Sequence, residues 1–239
     1  MKKYYIFIAF ISVTFLFCQC SHEPVETNTS KVWLHRANSI EKAKYYQYDY
    51  PGLEIDVHFD NLFKAFVIKH DANAEAKCTL EQWLDQVDNI QNLGIWFDFK
   101  NLNDENRDNA CQCLVKLRKK YHLKGKLYVE SGSYNNLKVF KENGFNVSYY
   151  IPDFNPETAD SATCQKHAAT IQKAINSGVT AISGYDYQYK FMRRNFPNQT
   201  LLLWTIRTDT EYYPILTAKV DADSLVDILL IPNLEKDFN

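Results

Sequence analysis

The chain has 239 residues, which is enough for one large domain or two small ones. Hydrophobic residues make up 46% of the sequence and charged residues 23%, and these proportions exclude a largely disordered or collagen-like chain. A net charge of -2 does not favour nucleic acid as a partner, and the sequence has no GxGxxG or GxxxxGK[ST] motif that would favour a nucleotide phosphate loop.

The N-terminus has the pattern of a secretory signal. Lys2 and Lys3 precede an uncharged, almost wholly apolar run over residues 4–18. Such a run is typical of a signal peptide and is too short to cross a membrane comfortably. We therefore expect the protein to be exported.

The apolar run ends in Cys18-Gln19-Cys20 and not in an Ala-x-Ala cleavage site. A cysteine at this point resembles the acylated cysteine of a bacterial lipoprotein. We predict a lipoprotein signal over residues 1–20, lipidation at Cys20 with Cys18 as the alternative, and a polar tether over residues 21–30. The lipid would anchor the protein to a membrane of a bacterial cell envelope. An ordinary signal peptide with a secreted or periplasmic product is the alternative.

From residue 31 onward, short β-rich runs alternate with helical patterns. The predicted strands lie at 32–35, 53–59, 64–70, 94–100, 126–130, 145–151, 179–183, 201–206 and 227–231. The predicted helices lie at 39–48, 79–91, 104–121, 133–143, 157–177, 187–196 and 209–219. Thr79 and Gln82 resemble a capping box, and Gly144 and Gly178 are expected to end the helices before them. Asp60-Asn61 marks a hairpin turn between two successive strands.

With the hairpin counted as one unit, the pattern has eight β-units and seven intervening helices. Regular alternation of this kind predicts a parallel sheet, and the count is that of a (β/α)8 TIM barrel in a single domain over residues 31–239. The rival is a doubly wound open sheet. Such a sheet normally has a glycine cluster after its first strand, and here that position holds Leu34-His35-Arg36-Ala37-Asn38.

Polar residues recur where the predicted strands end, which is where TIM barrels carry their active sites. Glu54 and Asp56 alternate along one strand, so both carboxylates project to the same face. Two adjacent carboxylates repel each other, and a bound divalent cation removes that cost. The pair therefore predicts a site for a hard cation, Ca²⁺ or Mg²⁺, with Asp98 on the neighbouring strand as a third ligand.

His35 and His70 also lie at strand ends. Cleavage of a phosphodiester needs a base to remove one proton and an acid to supply another, and histidine can do either near neutral pH. The pair is therefore a candidate acid and base, with the assignment between them open. His58 shares the face of Glu54 and Asp56 and is a candidate substrate contact; the alternative is a histidine packed in the barrel.

Arg36 and Lys100 are the candidate phosphate-binding residues, because cations at these positions would stabilise charge on phosphate oxygens. Glu130 ends another strand and is a candidate metal ligand or substrate contact. Trp204 is a further candidate substrate contact, and its alternative role is in the core.

These motifs in order resemble the superfamily of phospholipase C-like phosphodiesterases, of which glycerophosphodiester phosphodiesterases are the best-known members. The motifs are His35-Arg36, Glu54-x-Asp56-Val57, His70-Asp71, Asp98-x-Lys100 and Trp204-Thr205, and together they span residues 32–231. The resemblance implies a TIM barrel with metal on Glu54, Asp56 and Asp98, catalysis by His35 and His70, and phosphate on Arg36 and Lys100. It also implies attack by a neighbouring substrate hydroxyl and a cyclic phosphate product.

The chain departs from that family at two places. The usual HRG is replaced by His35-Arg36-Ala37, and the Pro-Glu-Asn segment typical of glycerophosphodiesterases is missing. The strings HRANS, LEIDV, TLEQWL and GIWFDFK look closer to the menorin branch. The expected function is cleavage of a small-molecule or lipid phosphodiester at the cell envelope, of the glycerophosphodiester or phospholipid-headgroup type.

Two other functions are compatible with these residues. One is a non-catalytic surface lipoprotein that binds a ligand or partner in a degenerate site. The other is a glycosidase that uses Asp98 and Glu130 as its pair of acids.

Four cysteines follow the leader, at positions 78, 111, 113 and 164. In an exported protein they allow three full pairings, and the sequence does not choose among them. Unpaired core residues are the alternative, because Cys111 and Cys113 point apart on a helix.

Overall fold

The computed structural model describes residues 30–209 and 211–232. The predicted signal, the lipidation sites Cys18 and Cys20, and the tether up to residue 29 lie outside these residues. The described chain forms ten strands: β1 Val32–Leu34, β2 Gly52–Asp60, β3 Ala65–Ile68, β4 Cys78–Thr79, β5 Gly94–Phe99, β6 Leu127–Ser131, β7 Asn146–Tyr150, β8 Ala181–Tyr185, β9 Thr200–Trp204 and β10 Val226–Ile231.

Eight of these strands form a closed parallel barrel. Its order is β1-β2-β5-β6-β7-β8-β9-β10, and the pairing of β10 with β1 closes the circle. β3 and β4 extend the sheet outward from β2 as an antiparallel arm. The predicted TIM barrel is thus confirmed, and so is the hairpin at Asp60-Asn61. The short strand β4 was not predicted.

Seven α-helices separate the barrel strands in the described chain: α1 Ile40–Tyr46, α2 Leu80–Gln86, α3 Arg107–Lys120, α4 Lys138–Glu142, α5 Ser161–Asn176, α6 Tyr189–Asn195 and α7 Tyr212–Ala222. The predicted helices are confirmed in number and order. The first six are shorter than predicted, whereas α7 begins and ends three residues later than predicted. The pattern over 133–143 divides into a 3-10 turn, Tyr134–Asn136, and α4.

Local capping explains where several helices begin and end. The Ser39 hydroxyl accepts a hydrogen bond from the Lys42 backbone N–H and starts α1. Thr79 and Gln82 form the predicted capping box at the start of α2. Gly144 and Gly178 have φ angles of 80° and 92°, a left-handed conformation that suits glycine and ends the preceding helix.

The barrel separates two hydrophobic layers. Alternate residues of each strand, such as Leu53, Ile55 and Val57 of β2, point outward and pack against the helices. The other residues fill the barrel interior, where a second cluster comprises Trp33, Trp96, Tyr128, Ala181, Leu202, Trp204, Ile228 and Leu230. The polar residues of β2 belong to this inward-facing set, so they lie at the barrel mouth above the apolar interior.

Trp33 fills the floor of the barrel. A Cβ atom at Gly52 would lie 2.3 Å from the Trp33 ring, and one at Gly94 would lie 2.2 Å from it. Neither position tolerates a side chain while the indole is in place. The two glycines at the start of β2 and β5 therefore make room for the indole.

The four described cysteines are all free. Cys111 is buried with its Sγ 3.5 Å from the Val139 carbonyl, whereas Cys113 and Cys164 are partly buried. The alternative of unpaired cysteines is the one observed. No helix in the described ranges is both long and apolar enough to span a bilayer.

Candidate active site

A cavity of about 280 Å³ opens at the carboxyl ends of the barrel strands. Most of the predicted site residues line it together: His35, Arg36, Glu54, Asp56, His70, Asp98, Lys100, Glu130 and Trp204. His58 is not among the lining residues. It is buried, and its Nδ1 lies 3.2 Å from the Lys69 carbonyl oxygen, so it packs between β2 and the arm.

Strand register brings the acids together. Asp56 of β2 pairs with Asp98 of β5, and Asp98 pairs with Glu130 of β6. Glu54 lies two residues before Asp56 on the same inward face. Carboxylate oxygens of Glu54, Asp56 and Asp98 all lie within 4.8 Å of one another. Parallel pairing thus brings two separate sequence motifs, Glu54-x-Asp56 and Asp98-x-Lys100, into one cluster.

Glu54 is fixed by the backbone that follows β1. Its Oε2 accepts a hydrogen bond of 2.7 Å from the Arg36 N–H. Arg36 has a φ of 53°, an unfavourable left-handed conformation for a non-glycine residue, and such conformations occur often at functional sites. The other oxygen, Oε1, is buried and has no hydrogen-bond partner among the described residues.

Asp56 is fixed by Asn38, a residue that the sequence did not single out. The Asn38 Nδ2 donates to Asp56 Oδ2 over 2.6 Å, and the Asp56 backbone N–H donates to Asn38 Oδ1 over 2.9 Å. This paired contact orients the carboxylate. Asn38 lies in the segment between the end of β1 and the helix cap Ser39, and its partner Asp56 lies on another strand, so no local spacing in the sequence marks the contact.

Lys100 neutralises part of the negative charge. Its ammonium lies 2.9 Å from Asp56 Oδ1 and also pairs with Asp98 Oδ2. Burial opposes a charged lysine, but the two carboxylates outweigh it and raise the pKa of Lys100. The Lys100 ammonium is therefore held in contact with two of the three clustered acids, Asp56 and Asp98.

The carboxyl groups differ in their preference for the charged form. Burial, followed by the charges of Asp56 and Asp98, raises the pKa of Glu54 well above its ordinary value. Burial also raises the pKa of Asp98, and Lys100 offsets only part of that rise. Burial acts in the same direction on Asp56, but Lys100 and Asn38 outweigh it and leave its pKa below the ordinary value.

His70 is held in one tautomer by its two neighbours. Its Nδ1 lies 2.7 Å from Asp71 Oδ1, and its Nε2 lies 2.9 Å from an Arg36 guanidinium nitrogen. Because arginine can only donate, Nε2 must accept, and the proton is on Nδ1. His70 therefore presents an unprotonated Nε2 to the cavity, as a general base requires.

His35 stands on the other side of β2, at the end of β1. Its Nε2 lies 3.7 Å from Glu54 Oε2. Burial, followed by the charge of Arg36, lowers the pKa of His35 to about 3. The ring is therefore neutral at ordinary pH in this charge environment, and its contact with Glu54 is not an ion pair.

The acid cluster fits a hard divalent cation. It offers oxygen atoms alone, which Ca²⁺ and Mg²⁺ prefer. One of those oxygens, Glu54 Oε1, is buried without a partner among the described residues. Burial and the charges of Asp56 and Asp98 disfavour the ionised form of Glu54, and a bound cation would offset that unfavourable energy. The donor set gives no preference for one of these two ions.

Aromatic rings form much of the remaining cavity wall, together with Ile206 and Leu230. Trp96, Tyr150 and Tyr185 join Trp204 there, and the sequence analysis identified only the last of these. A signal for the others existed: Trp96 lies two residues before Asp98 on the inward face of β5, and Tyr150 and Tyr185 are the last residues of β7 and β8.

No protein-family model matches the chain, and no curated protein matches it in sequence. Solved structures do match. A glycerophosphodiester phosphodiesterase from Parabacteroides distasonis is 20% identical, with a TM-score of 0.57 and coverage of 85% of this chain and 92% of that chain. An Oleispira antarctica phosphodiesterase, solved in complex with the product sn-glycerol-3-phosphate, is 12% identical, with a TM-score of 0.61 and coverage of 85% and 93%.

A third similar structure is a calcium-dependent phosphoinositol-specific phospholipase C from a Gram-negative Pseudomonas species. It is 12% identical, with a TM-score of 0.52 and coverage of 87% of this chain and 92% of that chain. At these identities the likeness establishes the fold. The chain has the barrel fold of the phospholipase C-like phosphodiesterases, as its sequence motifs predicted.

Proposed function

We propose that the protein is a phosphodiesterase that depends on a divalent cation and cleaves a glycerophosphodiester or a phospholipid-type headgroup. The observation that carries this proposal is the convergence of a three-carboxylate cluster, two histidines and two cations in one cavity at the barrel mouth. The shared fold with glycerophosphodiester phosphodiesterases and a phospholipase C supports it.

Glu54, Asp56 and Asp98 would hold the cation, Ca²⁺ or Mg²⁺. When bound, the cation supplies positive charge that stabilises phosphate oxygens and lowers the pKa of a coordinated hydroxyl. Asn38 and the Arg36 backbone N–H hold two of the carboxylates in place. Such supporting contacts are a general requirement for a metal site.

The protein's own groups account for the proton transfers. Nε2 of His70 removes the proton from the attacking hydroxyl, because Asp71 fixes the proton of the neutral ring on Nδ1. Phosphorus then gains the bond to that oxygen and loses the bond to the leaving oxygen. We assign to His35, on the opposite side of β2, the return of a proton to the leaving oxygen. The ring is neutral in the described charge environment, and the negative charge of a bound phosphate would favour the protonated form that this step requires.

Arg36 and Lys100 stabilise the charge that develops on the phosphate. In the described contacts the Arg36 guanidinium donates to His70 and the Lys100 ammonium pairs with Asp56 and Asp98. Both cations line the cavity, so a bound phosphate lies within their reach. Its arrival would free Nε2 of His70 from the guanidinium at the moment when the base is needed.

We also propose that the protein is exported and anchored to the cell envelope by a lipid at Cys20. The support is the basic start at Lys2 and Lys3, the apolar run over residues 4–18 and the cysteine that follows it. A phosphodiester released from, or present in, the adjacent membrane would then be the available substrate.

The test is release of product from a chromogenic phosphodiester, glycerophosphodiesters and lysophospholipids, with Ca²⁺, with Mg²⁺ and with chelator. We expect turnover that the chelator abolishes and that falls at least about a hundredfold in His70→Asn and His35→Ala. His167→Ala is the matched control, since His167 stacks on Phe154 at a ring distance of 4.2 Å and does not line the cavity. Absence of turnover from the folded, cation-binding protein, or full activity in both variants, would refute the proposal.

A further inference from the structure

The loop that follows β1 contacts both carboxylates of β2. We call it the clamp loop and define it as residues 35–39, between β1 and the start of α1. The Arg36 N–H donates to Glu54 Oε2 over 2.7 Å, and the Asn38 side chain exchanges two hydrogen bonds with Asp56. The position of the clamp loop therefore helps to set the position of both carboxylates.

Ala37 lies between these two contacts, and both of its backbone polar groups are bonded. Its N–H donates to the Glu54 carbonyl oxygen over 2.8 Å. Its carbonyl oxygen accepts a hydrogen bond of 3.0 Å from the indole N–H of Trp83, a residue of α2. This carbonyl belongs to the planar peptide group that leads into Asn38. Its direction therefore fixes the backbone from which the Asn38 amide reaches Asp56.

The bond between Trp83 and Ala37 is enclosed in the protein. Both residues are fully buried, so water does not replace the indole as a donor. A buried carbonyl without a donor is unfavourable, and loss of the indole N–H would favour rotation of the peptide group towards another donor. The neighbouring Arg36 has a φ of 53°, a strained conformation that persists only where its surroundings hold it. Removal of one restraint should therefore let the clamp loop move.

We propose that Trp83 is a positioning residue for the cation site and that it acts through Ala37 and Asn38 of the clamp loop. The inference rests on the cation site of the proposed function. Trp83 does not line the cavity, so it touches neither substrate nor cation. Its indole N–H holds the Ala37 carbonyl, and the clamp loop in turn holds Asp56. The helical layer thereby contributes to the geometry of the barrel mouth.

The alternative role of Trp83 is packing alone. The indole belongs to the apolar core between the barrel and the helices, so a smaller side chain there would lower stability whatever the N–H does. The two roles differ in what they predict for cation affinity. Packing alone predicts a loss of stability with unchanged affinity, whereas positioning predicts a loss of affinity that depends on Asn38.

Isothermal titration with Ca²⁺ and with Mg²⁺ separates the two roles without requiring turnover. Trp83→Phe keeps an aromatic ring and removes the donor, and we expect it to bind the cation about tenfold more weakly than the parent does. In an Asn38→Ala background the same substitution should have a much smaller effect, because the contact through which Trp83 acts is already lost.

Two further variants guard against a general defect of folding. Replacement of Trp83 by benzothienylalanine keeps the shape of the indole and lacks only its N–H, so it should weaken cation binding as Trp83→Phe does. Thr79→Ala is the matched control, because it removes the capping box of the same helix and leaves the indole in place. It should lower the melting temperature and keep the cation affinity of the parent.

The outcomes separate the positioning role from the proposed reaction. Unchanged affinity in both Trp83 replacements, an undiminished effect of Trp83→Phe in the Asn38→Ala protein, or an equal loss of affinity in Thr79→Ala would overturn the positioning role and leave the phosphodiesterase proposal intact. A parent protein that binds neither cation would refute the cation site and the positioning role together. A loss of affinity specific to Trp83, in a protein that cleaves no diester, would support the positioning role and refute the proposed reaction.

Discussion

Glu54→Gln is the sharpest perturbation of the acid cluster. The substitution keeps the size of the side chain and an oxygen that accepts the Arg36 N–H, but it removes one of three charges within 4.8 Å. Two effects of opposite sign should follow. The cation-free protein should become more stable near neutral pH, because a repelled and buried charge is lost. The cation should lose its stabilising effect, because a ligand is lost.

The second effect has a calculable size. A cation at one hundred times its dissociation constant stabilises the folded state by about 2.7 kcal/mol. For a domain of 150–250 residues, each kcal/mol shifts the melting temperature by roughly 2–4 °C. The described ranges 30–209 and 211–232 fall within that size class. We therefore expect the parent protein to gain about 5–11 °C on cation addition, and Glu54→Gln to gain almost nothing.

The first effect has a characteristic pH dependence. Burial and neighbouring charges raise the pKa of Glu54 in the folded state, so the folded state binds this proton more tightly than the unfolded state does. Without cation, the contribution of Glu54 to stability is therefore lost as the pH rises above the ordinary carboxyl pKa towards the raised value. Glu54→Gln should lose less stability over that interval than the parent protein.

Calorimetric unfolding with chelator, Ca²⁺ or Mg²⁺ across a pH series measures both effects. Glu81→Gln is the control, because Glu81 is an exposed carboxylate that pairs with Lys120 and does not line the cavity. It should retain the full cation-dependent shift. A Glu54→Gln protein that is less stable without cation and still gains the full shift would contradict the assignment of this cluster.

Three further predictions concern other parts of the molecule. Trp33→Ala should lower the free energy of unfolding, measured with denaturant, by about 3–5 kcal/mol. Gly52→Ala should destabilise the Trp33→Ala protein less than it destabilises the parent, because its Cβ would lie 2.3 Å from the indole in the parent. If the effects of the two substitutions simply add, the packing account is wrong. Asn38→Ala should weaken cation binding about 10–100-fold in titration calorimetry, and unchanged affinity would show that its contacts with Asp56 do not orient the ligand. Cys20→Ala should abolish incorporation of labelled fatty acid, and labelling that persists there but disappears in Cys18→Ala would move the site.

The barrel was predictable because its information is local and repeated. Strands such as β2 carry alternating outward apolar residues, Leu53, Ile55 and Val57, and several helices have a start or stop signal that acts within one turn. The acids were predictable for a related reason. Glu54-x-Asp56 has the spacing of one strand face, and a parallel neighbour then places Asp98 beside it.

What escaped prediction depends on contacts between distant segments. The Asn38 amide matters only because the loop after β1 lies beside β2, and a contact between a loop residue and a residue of another strand follows no regular spacing in the sequence. His58 shares a face with Glu54 and Asp56, yet the arm covers it and its ring turns to the Lys69 carbonyl. The aromatic rings of the cavity wall come from four strands, β5, β7, β8 and β9, and the first and last of them, Trp96 and Trp204, are more than a hundred residues apart.

The indole of Trp33 at the base of the barrel has a kinetic consequence. The barrel interior below the cavity is filled by the buried side chains of Trp33, Trp96, Tyr128 and Leu202, so substrate and products share the mouth at the carboxyl ends of the strands. Substrate therefore cannot reach the acid cluster until both cleavage products have left it. Each product should accordingly compete with substrate, and the slower product to depart sets an upper limit on turnover.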